Sequence, residues 1–196
     1  MPRTKEQYEQ IRKQKRQLIK DTALNLFAER GYEATSINEI ACAADISKGL
    51  MYNYFASKEE LLHTIWDDLI EEFKRIIDPN NDGEVSDEEA EDFIDKSFEM
   101  LKNRREYLKL YYQLSFQPEV TNFLYTKYNK STGQEYQRLI FEYFIGKLPF
   151  LQNEFGFFTV LSFFKGLFMV ATYTENIFDN DFLDKYKTYI KQIIFK

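Results

Sequence analysis

A pair of short helical segments, joined by about four residues, lies between about residues 36 and 55 and constrains this chain more than any other feature. Ser36, or Thr35 beside it, can cap a helix whose buried stripe is Ile37, Ile40 and Ala41 and which ends near Ala44. Asp45 and Ile46 then lead into Ser47, a cap for a further short helix over Lys48 to Tyr54. Small Ala41, Ala43 and Ala44 allow the two helices to pack closely at a steep angle, with Ile37, Ile40 and Ile46 holding the pair to a core. This is the helix-turn-helix arrangement, in which the first helix braces and the second enters a DNA major groove. The second helix must expose polar groups near its start. Ser47, Lys48, Tyr52, Asn53 and Tyr54 supply a hydroxyl, a charge, an amide and two phenols, and Gly49 lets the backbone approach phosphates.

The rest of the chain reads as longer helices. Leu18, Ile19, Ala23, Leu26 and Phe27 give residues 8–30 one apolar face, and Gly31 suits a left-handed cap at its end. Ser57 and Glu60 form a capping box that opens a fourth helix over 58–77, with an apolar face from Leu62 to Ile77. Pro79 and the run Asn80-Asn81-Asp82-Gly83 end it. A second capping box, Ser86 to Glu89, starts a fifth helix running to about Asn103. A sixth covers about Arg105 to Phe116, and a seventh about Pro118 to Ile145 with Gly133 as a weak point. After Pro149 come helices over about Gln152 to Glu175 and Asp181 to Phe195. With only 7 Gly and 4 Pro, and no strand alternation or internal repeat, the expected fold is all-α with about nine helices. Residues 1–60 would form the helix-turn-helix domain, the 58–77 helix the link, and 76–196 a second helical bundle.

The net charge is −6, yet the first thirty residues hold eight basic side chains against four acidic ones, a local +4. The acid lies chiefly between Asp78 and Glu99. A basic end on an acidic body fits a protein that offers one end to a polyanion. Cys42 and His63 are the sole cysteine and histidine, without the partners of nucleophilic or metal catalysis, so no enzyme and no required cofactor are expected. The opening MPRTKEQYEQ lacks the apolar run of a secretory leader. The most apolar stretch, Phe155 to Ala171, is short for a membrane span and carries Lys165. A cytoplasmic chain with no membrane partner is expected.

From Gly31 the run GYEATSINEIACAADISKGLMYNYFASKEELL resembles the TetR family of bacterial regulators. Gly31-Tyr32, Thr35, Ile37, Ile40-Ala41, Ala44, Ser47-Lys48-Gly49, Tyr52, Tyr54-Phe55 and Ser57-Lys58-Glu59 carry the likeness, which holds in detail over about residues 14–75. Leu50 and Met51 depart from the usual pattern, where a small or polar residue and Leu stand. The resemblance implies a recognition helix at Lys48 to Tyr54, with Lys48, Tyr52, Asn53 and Tyr54 facing DNA. It implies phosphate contacts from Lys58, at the start of the fourth helix, and from Thr35 and Ser36 at the second. Against this stands the plainer reading of Tyr52 and Tyr54 as core aromatics; Phe55 is expected in the core.

The resemblance also implies that residues 76–196 bind a small-molecule effector and form a homodimer through the last two long helices, giving two readers for a near-palindromic double-stranded operator. The Gln152–Glu175 helix is apolar almost all round (Phe157, Phe158, Val160, Leu161, Phe163, Phe164, Leu167, Phe168, Val170), so it is buried either by a partner or within one subunit. Lys165 within it pairs with an acid across the interface, meets an anionic ligand, or simply snorkels. Tyr107, Tyr111, Tyr112, Phe116, Tyr136, Phe141, Tyr143 and Phe144 are candidate pocket residues, though aromatic stripes at helical spacing are more often plain core. An effector would tilt the fourth helix and release a repressor from DNA.

Residues 78–89, DPNNDGEVSDEE, also match the calcium-binding EF-hand loop, with Asp78, Asn80, Asp82, Glu84 and Glu89 as the candidate ligand set and Gly83 at the sharp turn. The same residues read more plainly as a helix-breaking turn followed by a capping box, and no second loop of the pattern is present to pair with it. A calcium-responsive regulator is therefore the alternative function.

Overall fold

The computed structural model describes residues 4–128, 132–148, 152 and 156–195. Among them are ten helices: α1 Lys5–Arg30, α2 Ile37–Ala43, α3 Lys48–Tyr52, α4 Lys58–Ile77, α5 Asp87–Asn103, α6 Arg105–Ser115, α7 Pro118–Tyr128, α8 Thr132–Lys147, α9 Gly156–Tyr173 and α10 Asn180–Ile194. The extra helix arises because the expected seventh is two, α7 and α8. Residues 129–131, between them, lie outside the described residues. The chain forms two compact units, residues 1–69 with 113–122 and residues 70–112 with 123–196. The division thus falls inside α4, between the boundaries at 60 and 76 expected from the sequence. A stretch of ten residues around the α6–α7 junction belongs with the first unit.

In the first unit the core gathers Ile19, Ala23, Leu24 and Phe27 of α1, Ile40 and Ala41 of α2, Met51 of α3, and Leu61, Leu62 and Ile65 of α4. Leu18, expected on the same apolar face of α1, is exposed. At about 100° per residue it lies well round the helix from Ala23. Ala41 and Ala44 are buried where α2 meets the turn, whereas Ala43, also expected there, is exposed. Gly31 ends α1 with φ 95, in the region that favours glycine. Its N–H donates to the Phe27 carbonyl.

In the second unit α5, α8, α9 and α10 enclose Phe93, Ile94, Phe98, Leu101, Phe144, Ala171, Leu183, Ile190 and Ile194, together with Ile77. Lys191 of α10 donates to Asp95 (2.6 Å) and Glu91 (3.1 Å) of α5, and Lys187 lies 3.0 Å from Asp95. These pairs ring the α5–α10 seam at the surface. They fix register more than they add stability. Among the described residues no helix is long and apolar enough to cross a membrane.

Candidate nucleic-acid interface

The helix-turn-helix is built from caps. Ser36 opens α2: its Oγ accepts from the Glu39 N–H (3.2 Å), and the Glu39 carboxylate accepts from the Ser36 N–H (2.8 Å). The Ser36 hydroxyl, then its amide, hold the Glu39 carboxyl below its usual pKa. Asp45 adopts φ 51 in the turn, a conformation that Asp tolerates better than most residues. The Ile46 N–H then reaches back to the Ala41 carbonyl (3.0 Å). Ser47 caps α3, its Oγ accepting from the Leu50 N–H (3.1 Å).

α3 is anchored from one side. Met51 is fully buried, and Phe55 just beyond the helix is buried too. Ser47, Lys48, Gly49, Leu50, Tyr52 and Asn53 are exposed, with Tyr52 48% and Leu50 37% accessible. Tyr54 is half-buried. The helix stops at Tyr52, two residues earlier than the sequence suggests, and Asn53 is its C-cap. Beyond it Arg16 of α1 takes the Tyr54 carbonyl (2.8 Å), and its guanidinium lies 4.2 Å over the Phe55 ring. Arg16 was not among the residues expected to matter. A Cβ built on Gly49 would meet nothing within 4 Å, so packing within the protein does not require glycine there. The open side can admit a close backbone approach. Lys48 and Asn53 offer the groups that pair with guanine and adenine edges, and Tyr52 adds a phenol and an apolar ring.

Two expected phosphate contacts have other geometry. Thr35 is buried, and its hydroxyl donates to the Gly31 carbonyl (2.8 Å), with the Leu26 carbonyl at 3.3 Å. The expectation that this hydroxyl meets phosphate is corrected: it ties the α1–α2 turn to α1. The Lys58 ammonium donates to the carbonyls of Tyr32 (2.8 Å) and Glu33 (3.4 Å) and sits 4.3 Å over the Tyr32 ring. It clamps the same turn to the start of α4. Ser36 stays exposed, its hydroxyl engaged with Glu39. The capping box at Ser57 is half formed. The Glu60 N–H donates to Ser57 Oγ (3.1 Å), but the Glu60 carboxylate accepts from the Ala56 N–H (2.6 Å). Gln117, 85 residues from its partner, closes the far side of the unit. Its Oε1 accepts from the Tyr32 N–H (2.6 Å), and its Nε2 donates to the Phe27 carbonyl (2.7 Å).

The 78–89 segment turns its oxygens on its own backbone. The buried Asp78 carboxylate accepts from the N–H groups of Asp82 (3.1 Å) and Gly83 (3.2 Å). Asn80 accepts from the Asp82 N–H and donates to the Asp82 carboxylate. Asp82 in turn accepts from the Glu84 N–H (2.9 Å). Glu89 closes a capping box with Ser86 (2.9 Å). Glu84 is exposed. Among the described residues no three His, Cys, Asp or Glu side chains come together to hold a metal ion. The calcium ligand set expected from spacing is therefore not assembled as carboxylates around a point.

Of the pocket candidates, Tyr107 and Tyr111 pair edge to face at 4.9 Å with hydroxyls 3.1 Å apart. Burial, then neighbouring Tyr173, push the Tyr112 hydroxyl up to about 12. Phe116, just beyond the end of α6 at Ser115, is 65% exposed. Tyr136 and Phe141 lie outside the described side chains. Phe144 is core, and Tyr143 donates to Asp87 (2.6 Å). Lys165 reaches the surface of α9, though apolar surroundings lower its pKa.

Residues 19–65 match the family described as bacterial regulatory proteins, tetR family. The chain is 58% identical over 50 residues to the uncharacterized HTH-type transcriptional regulator YuxN of Bacillus subtilis, covering 26% of this chain and 17% of that protein. It is 32% identical over 104 residues to the biofilm operon icaADBC HTH-type negative transcriptional regulator IcaR of Staphylococcus epidermidis, covering 53% and 55%. It is 44% identical over 61 residues to the HTH-type transcriptional repressor KstR2 of Rhodococcus jostii, covering 29% and 30%. The chain thus spans at most about half the length of these relatives. The helix-turn-helix, with its caps, its buried Met51 and its outward-facing Lys48, Tyr52 and Asn53, lies within the 19–65 segment that is similar to bacterial regulatory proteins of the tetR family.

Proposed function

We propose that this chain is a transcriptional repressor that binds a near-palindromic operator as a homodimer and is released by a small-molecule effector. The observation that carries the DNA-binding part is the division of α3: one face is fixed by Met51, and the other presents Lys48, Tyr52 and Asn53 with no packing role. Ser47 and Ser36 stand beside them at two helix starts. The sign of regulation follows the relatives, since IcaR is described as a negative regulator and KstR2 as a repressor. Such a protein works in the cytoplasm beside its DNA.

Dimerisation is supported by α10. Its inner stripe, Leu183, Ile190 and Ile194, is buried, while Phe182, Tyr189 and Ile193 run along its outer side at spacings of seven and four residues. Phe182, Tyr189 and Ile193 are exposed, as are Phe163 and Val170 of α9. An exposed apolar stripe on α10, with exposed apolar side chains on α9, suits a two-fold helical interface. The described part of α9 is thus covered on one side only within the protomer. Effector binding is supported by the tyrosines of α6 and by helix continuity. α4 and α6 each have residues in both compact units, so an effector that prefers one of two states can bias the reading head.

The test is fluorescence anisotropy with a duplex taken from immediately upstream of the protein's own reading frame. Wild type should bind with a steep loss of affinity in salt. Lys48→Ala and Tyr52→Ala should each weaken binding about tenfold or more, the size of one base-edge interaction. Unchanged affinity in both variants would sink the site.

A further inference from the structure

The first half of α1 has no packing role. Every residue from Thr4 to Gln14 is exposed, and the first buried side chain is Ile19. Yet the helix starts at Lys5 with a reciprocal cap: the Gln7 N–H donates to Thr4 Oγ1 (3.3 Å), and the Thr4 N–H donates to Gln7 Oε1 (3.0 Å). About three turns of exposed helix are marginal alone. Here they grow from a helix rooted in a core and are closed by a good cap.

This extension carries Lys5, Arg12, Lys13, Lys15 and Arg16 against Glu6 and Glu9, a local +3 on a chain whose net charge is −6. Among the described residues Lys5, Arg12, Lys13 and Lys15 form no ion pair. Its direction is fixed by Arg16, which holds the Tyr54 carbonyl beside the end of α3, and whose other amino group lies 3.5 Å from Thr64 Oγ1. At about 100° per residue, Lys5, Arg12 and Arg16 fall within about 40° of one another around the helix. Arg12 sits about 6 Å and Lys5 about 17 Å further along the axis, on the side where Arg16 meets the end of the recognition helix. Seventeen ångströms is roughly five base pairs of duplex.

We infer that residues 5–15 of α1 are an accessory arm that binds the phosphates of double-stranded DNA flanking the base pairs read by α3. The inference rests on the DNA-binding reading above and adds a second, sequence-independent contact surface. Charge and continuity select the occupant: the stripe is basic, unpaired, and begins where the reading surface ends.

The experiment uses the full chain and duplexes enriched by the wild-type protein from a random library. Each enriched core is prepared alone and with six added base pairs of varied sequence on each side. Wild type should bind the extended duplex at least tenfold more tightly at low salt, whatever the flanking sequence. Lys5→Ala/Arg12→Ala/Lys13→Ala/Lys15→Ala should lose that gain, keep the same core preference and keep the wild-type melting temperature. On the extended duplex its log-affinity against log-salt slope should fall by about 0.9 for each phosphate that the arm no longer neutralises. Arg12→Ala alone should lower it by about 0.9 per arm. Equal slopes and equal length dependence in wild type and both variants would overturn the arm while leaving the α3 reading intact. Failure of wild type to enrich any duplex would remove both.

Discussion

Two segments of this chain carry patterns that point to a ligand, residues 47–53 and residues 78–89, and they fold in opposite senses. In the first, a hydroxyl cap and one buried methionine satisfy the helix, and the remaining polar side chains face outward. In the second, Asn81 at φ 58 and Gly83 at φ 79 bend the chain so that amides at 82–84 point at Asp78, Asn80 and Asp82. Those side chains then act as internal caps. Residue type and spacing are equally good in both segments. What differs is whether the backbone leaves N–H groups that the side chains must serve.

Replacing the anchor on the outward-facing side should have the largest effect. Met51→Ala removes a fully buried side chain between α3 and its core and should cost about 2–5 kcal/mol, lowering the melting temperature and abolishing DNA binding together. Tyr52→Ala, one residue away and half exposed, should leave the melting temperature nearly unchanged while weakening DNA binding. If Tyr52→Ala destabilises as much as Met51→Ala, the two faces of α3 are not separate.

On the inward-facing side Asp78→Ala should cost about 1–3 kcal/mol, because two loop amides lose a buried acceptor. Denaturant melts with chelator present measure this directly. Millimolar Ca²⁺ should leave the wild-type melting temperature in place, since Glu89 is held by Ser86. A calcium-dependent rise that vanishes in Asp78→Ala would break the comparison and make 78–89 a second outward-facing site.

The helix-turn-helix was legible because its signals are local. Ser36, Ser47 and Gly31 sit within a few residues of the groups they cap, and the Ile40–Ala41–Ala44 stripe follows the helical period. The partners that were missed are distant in sequence. Arg16 meets Tyr54 across 38 residues, and Gln117 meets Tyr32 across 85. Lys58 likewise meets the Tyr32 carbonyl across 26 residues, whereas Thr35 turns to the carbonyl of Gly31 only four residues away. Gln117→Ala, which strands the Tyr32 N–H and leaves the Phe27 carbonyl with the Gly31 N–H alone, should therefore cost about 1–3 kcal/mol, comparable with Asp78→Ala. A chemical-denaturation series on the two variants sets one against the other. A neutral Gln117→Ala would mean that water replaces both bonds.

The smallest effect is electrostatic and should appear in both regions. Glu39 in the helix-turn-helix is held below its ordinary 4.5 by the Ser36 hydroxyl and amide. Asp87, at the end of the 78–89 segment, is held below 3.8 by Lys147 and then Tyr143. Both carboxyls are more acidic folded than unfolded. Each therefore contributes stability that is complete above the ordinary carboxylate value and disappears as pH falls through its lowered folded value. Glu39→Gln keeps a side chain able to complete the cap, so its melting temperature should sit slightly below wild type at pH 7 and converge with it on acidification. Asp87→Asn should behave likewise. A difference that stays constant from pH 7 to pH 3 in either variant would assign the loss to packing. The two regions would then differ in their charges as well as in the direction of their polar groups.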